Sequence, residues 1–181
     1  AGPIESLDLF VLLGAGDAHG PAAIEWTLAR FDAEFDVIEA GRPRRVRAQR
    51  EHRRVELPGG RRPAFGVRFD FPEQRSLART LGVPTVSSWL VTLPPAAARA
   101  MRLAAVAGAG GLTRRPRSRA GLRGLLGRGS AGGDECGVIV RAAGAGGASL
   151  EAAVIGRDQS GLTGLLTALF AEEAIAGRVE P

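Results

Sequence analysis

The residue types best suited to chemistry in this chain sit two apart, at Asp17 and His19, inside Leu12-Leu13-Gly14-Ala15-Gly16-Asp17-Ala18-His19-Gly20-Pro21. A histidine changes charge near neutral pH and is the commonest side chain to carry a proton to or from a reacting group. Competing proton carriers are scarce. The basic side chains are all arginine, and there is no tyrosine. No lysine or tyrosine of this chain can therefore act as a general acid or base. The second histidine, His52, is far away in sequence, and Cys136 is the single cysteine. This spacing makes no metal signature. No Gly-x-Ser-x-Gly or Ser-His-Asp arrangement supports hydrolase chemistry.

The elements that must position Asp17 and His19 are legible on both sides. The apolar run Leu9 to Leu13 reads as the end of a strand over 6–13, broken by Gly14 and Gly16. Gly20-Pro21 opens a helix, because proline costs nothing in the first helical turn. Ile24, Leu28, Phe31 and Phe35 continue it on one face. Asp17 and His19 are thus expected between a strand end and a helix N-terminus, where free N–H groups and the helix dipole favour an anion. They could bind or protonate a substrate there, or they could cap the orphan N–H groups.

A strand, a glycine turn, a helix, a second strand over 35–40 and then Glu39 resemble a dinucleotide-binding fingerprint. The spacing Gly14-x-Gly16-x-x-x-Gly20 is one residue longer than the common pattern. From Arg42 to Phe71 strands and turns follow without a helix, whereas a doubly wound sheet alternates the two. A small complete nucleotide-binding protein is therefore kept as an alternative.

A second resemblance covers more of the chain. Gly16-Asp17-Ala18-His19-Gly20-Pro21-Ala22-Ala23-Ile24-Glu25-Trp26-Thr27-Leu28 is similar to the start of the second domain of bacterial saccharopine dehydrogenase-like proteins. Phe69-Asp70-Phe71-Pro72-Glu73-Gln74-Arg75, continuing through Leu81-Gly82-Val83-Pro84-Thr85, resembles a later part of it. Ser160-Gly161-Leu162-Thr163-Gly164 and Gly177-Arg178-Val179-Glu180-Pro181 are similar in style. The resemblance implies an α+β domain that supplies the substrate side and the dimer contact of an NAD(P)-dependent oxidoreductase. The nucleotide-binding domain of that polypeptide would be a separate unit, so no cofactor is expected on this chain and NAD(P) is expected in the full-length protein. It implies catalytic roles for His19 and Asp17. Candidate substrate contacts are Gly16, Gly20, Arg68 and Gln74, and the expected substrate is small and carboxylate-bearing. A homodimer is the implied assembly.

Composition fits one domain over residues 1–181. At 181 residues and 45% hydrophobic content the chain is globular and large enough for a core, burying roughly 70% of its unfolded surface. No apolar run reaches the ~18 residues of a membrane span. No secretory signal pattern is present, and a single cysteine fits a reducing cytoplasm. Between Glu73 and Asp134 there is no carboxylate, while arginines run from Arg75 to Arg128. An arginine-rich nucleic-acid-binding module is the second alternative. It lacks stacking groups, since no aromatic occurs between Trp89 and Phe170, so no nucleic-acid partner is expected. A solvated basic surface is the plain reading.

The remaining elements follow from pattern. Arg44 to Gln49 and His52 to Leu57 read as exposed antiparallel strands, and His52 as a surface residue. Phe65, Val67, Phe69 and Phe71 alternate strictly against Arg68 and Asp70, marking a strand whose polar face is a surface pair or a pocket wall. A helix from Pro72 stops at Gly82, and a strand containing Trp89 runs over 83–93. Pro94-Pro95 starts an alanine-rich helix to about Val106. Residues 108–134 form an Arg/Gly-rich segment expected to be flexible, with a short amphipathic helix around Leu122. Cys136 to Ala142 and Leu150 to Ile155 form a hairpin, with Cys136 a small buried apolar residue, and Ser160 caps a last helix. The sum is an α+β fold, a largely antiparallel sheet with helices packed on one face.

Overall fold

The chain's longest apolar alternation, β1 (Ile4–Gly14), buries residues on both of its faces: Leu7 and Leu9 on one, Phe10 and Leu12 on the other. A strand covered twice belongs at the centre of a sheet. The computed structural model, which describes residues 3–17, 19–126 and 132–179, places it there.

The other strands are β2 (Glu34–Glu39), β3 (Arg42–Arg47), β4 (His52–Val55), β5 (Ala64–Arg68), β6 (Thr85–Leu93), β7 (Glu135–Gly144) and β8 (Ser149–Arg157). Their order is β3-β2-β6-β1-β7-β8, with β5 also on β6 and β4 on β5. Among the described residues only β1 and β6 pair in parallel, in register from Ser6 with Thr85 to Gly14 with Leu93. All other ladders are antiparallel. β2 runs antiparallel to β6, and hence to β1. The segment after Gly20 is therefore not the parallel βαβ unit of a dinucleotide fold.

The helices are α1 (Pro21–Arg30), α2 (Glu73–Leu81), α3 (Pro95–Val106), α4 (Gly110–Arg114), α5 (Pro116–Leu126) and α6 (Gln159–Ile175). One face of the sheet carries Leu7, Leu9, Val86 and Leu90. On it lie Leu77 and Ala78 of α2 and Met101 of α3. Trp26 of α1 sets its ring against Phe69 and Phe71 of the same cluster. Leu162 of α6 sits over Gly156 on that face too. The opposite face holds Phe10, Leu12, Trp89, Val91 and Ile139, closed by Val55, Leu57 and Ala64 of the β4–β5 hairpin. Arg61, in the hairpin's loop, pairs with Glu135 of β7 and ties that cover down.

Four local expectations change. Phe69 to Phe71 leave the strand after Arg68, where the Phe71 N–H donates to the Phe69 carbonyl at 3.0 Å and turns the chain. Asp70 and Arg68 do not pair. Asp70, buried, holds Arg30 and Arg75, each at 2.8 Å. The last helix is capped by Asp158, not Ser160: the Asp158 Oδ1 accepts from the Gly161 N–H at 3.1 Å. In the arginine-rich stretch, 110–114 and 116–126 are helical, and Arg119 and Arg123 grip Glu25 of α1 at 2.7 and 3.5 Å. Residues 127–131 of that segment lie outside the described residues. Cys136 is buried, and burial raises its thiol pKa, which suits a packing residue.

Candidate functional site at the carboxyl end of the sheet

β1 and β6 run in one direction. β8 shares it, because β7 is antiparallel to both of its neighbours. All three strands end at one rim, at Gly14, Leu93 and Arg157. Each is followed by a helix that begins there: α1 at Pro21, α3 at Pro95 and α6 at Gln159. Three helix N-termini thus crown one end of the sheet, and each brings partial positive charge to it. In open sheets the carboxyl ends of parallel strands are where ligands bind.

The rim is held closed by backbone. The Ala15 N–H donates to the Leu93 carbonyl at 2.7 Å, and the Gly16 N–H to the Gly133 carbonyl at 3.2 Å. A Cβ at Gly14 would overlap the Gly133 carbonyl oxygen, and one at Gly16 the Gly132 carbonyl oxygen. The close approach that these glycines permit is made by the chain's own 132–133 turn. Gly20 differs, with open space where its Cβ would stand.

Asp17 reaches across the rim to α6. Its Oδ2 accepts from the Gln159 N–H at 3.0 Å, 142 residues on. Together with Asp158 it fills the N-terminus of α6. The N-termini of α1 and α3 carry no side-chain cap. His19, half-buried, stands one residue before Gly20, the N-cap of α1. It is neither sealed in the core nor the cap itself. Gly16, Asp17, His19 and Gly20 therefore share the rim, with a histidine next to the uncapped start of α1. That arrangement can hold a carboxylate on N–H donors and offer it, or a neighbouring group, a proton.

Arg68 and Gln74 are elsewhere. Arg68 pairs across from Trp89, four residues before the end of β6, which puts it ~13 Å down the sheet from the rim. Its guanidinium carbon lies 4.1 Å from the Trp89 ring centre, and its Nε donates to Glu51 Oε2 at 2.8 Å. Glu51 also accepts from Arg44 at 2.7 and 3.0 Å, and Arg44 pairs with Glu39. Trp89 Nε1 donates to Asp8 at 2.9 Å, and Asp8 pairs with Arg53. Charge alternates along this whole chain of contacts. Hydrogen bonds from Arg44, and then Arg68, hold the Glu51 carboxyl at about 2 against the opposing effect of its partial burial. Burial lowers the pKa of Arg68, and Glu51 opposes that. Gln74 is fully buried on α2, and neither end of its amide has a hydrogen-bond partner among the described residues.

The sequence reading left out Glu51, Arg44 and the three-helix rim. None has a short-range signature, since each depends on which strands become neighbours. No group of three or more potential metal ligands occurs among the described residues. No helix among them is long and apolar enough to cross a membrane. No protein-family model matches the chain, and neither does any curated protein.

Proposed function

We propose that this chain is the substrate-side and dimerisation domain of a saccharopine dehydrogenase-like NAD(P)-dependent oxidoreductase. Its substrate carries a carboxylate, and a nucleotide domain of the same polypeptide faces the rim. The observation that carries this reading is the rim itself: three helix N-termini at one sheet end, two uncapped, with His19 half-open at the start of α1. The test is a titration of the chain with glutarate, followed by the backbone amides and the His19 imidazole in NMR spectra. Shifts confined to residues 19–24 and 95–98 are the expected result. Shifts that leave those residues unmoved at ~10 mM, weaker than any useful site, defeat the reading.

The dimer contact falls on β8 and α6. The other outer strands, β3 and β4, are guarded by charge, since Arg44 and Arg45 on β3 and Arg53 and Arg54 on β4 pair with acidic residues. β8 is open, with Leu150 and Val154 exposed, and α6 is apolar on several sides yet buries none of its residues. A helix of that kind needs a cover. Antiparallel pairing of β8 with a second copy about Val154 sets Glu151 opposite the second copy's Arg157, and Arg157 opposite its Glu151. Opposite charges directly across such a ladder stabilise it. Light scattering at micromolar concentration is expected to give twice the 18.8 kDa chain. Arg157→Glu should weaken the dimer by about tenfold, from two like-charge pairs at once. The double swap Glu151→Arg/Arg157→Glu should restore it. A monomer at all concentrations, or a swap that restores nothing, removes this contact.

A further inference from the structure

A second site lies away from the rim, in a cleft of about 340 Å³ between α3 and the β4–β5 hairpin. Its floor is apolar, made by Phe65, Val67, Ala98 and Leu103. His52, Arg99 and Arg102 are its polar lining. The His52 ring stands edge-on to Phe65, with centres 5.9 Å apart.

The charge in this cleft is uncompensated. Arginines packed against the sheet, such as Arg44, Arg47, Arg53 and Arg68, each have a carboxylate partner. Arg99 and Arg102 have none among the described residues. α3 cannot supply one, because no acidic residue occurs between Glu73 and Asp134. The Nε of Arg102 is also shut away from solvent with no hydrogen-bond partner. Closed off in this way, that nitrogen leaves the outer guanidinium nitrogens of Arg102, with those of Arg99, as the donors that an oxygen anion in the cleft would engage. The volume lies in the range of small-ligand pockets, which pair an apolar lining with a few polar anchors.

We propose that this cleft binds a small organic anion with an apolar body, its carboxylate on Arg99 and Arg102 beside His52 and its hydrocarbon on Phe65, Val67 and Leu103. Neither half of the lining accounts for such a ligand alone. Two guanidiniums without a floor would take any anion, and a floor without them would take any hydrocarbon. The two together select a molecule with both parts. Apart from Ala98, none of these residues is among those that report on the rim, so this site stands whether or not the rim binds a substrate.

Calorimetry with octanoate, octanol and inorganic phosphate on the intact chain tests it. Octanoate is expected to bind saturably with a dissociation constant below about 1 mM, and octanol and phosphate each about tenfold more weakly or worse. Arg99→Gln/Arg102→Gln should weaken octanoate by about tenfold or more. Leu103→Glu, at an exposed position that leaves the core untouched, should do the same by placing a carboxylate at the cleft. Circular dichroism confirms that each variant is folded. Octanoate that does not saturate, that binds both folded variants as well as the parent, or that phosphate matches, overturns the proposal.

Discussion

Glu51→Gln is expected to destabilise the chain by about 2 kcal/mol at neutral pH, although Glu51 itself is more than a third exposed. The loss arises at Arg68. That guanidinium is buried, its Nη1 already lacks a partner, and Glu51 is the only carboxylate paired with it among the described residues. Removing one member of a buried pair leaves an uncompensated charge, which costs about 3–5 kcal/mol where both are fully buried. Solvent around Glu51 and the stacking of Arg68 on Trp89 reduce the figure here. Arg68→Met should cost less than Glu51→Gln, because a thioether packs on the Trp89 ring and Glu51 keeps Arg44. Urea midpoints decide this, and equal losses for the two variants would show that the buried charge is not the cause.

The same carboxylate sets a pH dependence. Its folded pKa, about 2, lies below the ordinary 4.5. The stability it contributes is therefore fully present above about pH 4.5 and is lost as pH falls from there towards 2. The gap between the parent and Glu51→Gln should be widest at pH 7 and clearly narrower at pH 3. A gap that stays constant between those pH values would place the effect in packing alone.

Local chemistry wrote much of this fold into the sequence. Gly20-Pro21 starts α1 and Gly82, at φ 63°, ends α2, because proline and glycine act through their own backbone limits. Alternation marks β7, because successive side chains of a strand point to opposite faces. Alternation also misleads at Phe69 to Phe71, whose rings are buried although the strand has ended. Burial, not strand geometry, is what that pattern reports. The parallel β1–β6 pairing joins residues about eighty apart, and no local pattern encodes it. Everything built on that pairing was equally hidden: the shared rim, the reach of Asp17 to Gln159, and the ~13 Å that separates Arg68 from the rim. The candidate pair was legible as a pair. Its partners were not, and Asp17 serves α6 where the adjacent α1 was the expected neighbour.

That division of labour shapes the expectation for His19. If the chain is the substrate side of an oxidoreductase, as proposed, His19→Ala should lower kcat of that enzyme by ~10²-fold or more, the usual contribution of a positioned acid or base. Asp17 is engaged by the Gln159 N–H, so its carboxylate is a fixture of the rim. His19 has no hydrogen-bond partner among the described residues, and it is the one side chain of the Gly14–Gly20 turn whose charge changes easily near pH 7. Asp17→Asn should therefore act mainly on stability, by weakening the start of α6, and should leave the pH profile of kcat in place. His19→Ala should remove the limb of that profile that histidine titration sets, and His19→Gln, which can donate a hydrogen bond but cannot carry a proton, should not restore it. If kcat and its profile survive His19→Ala, the turn contributes only its backbone and the helix ends beside it. No side chain of the turn is then a proton carrier.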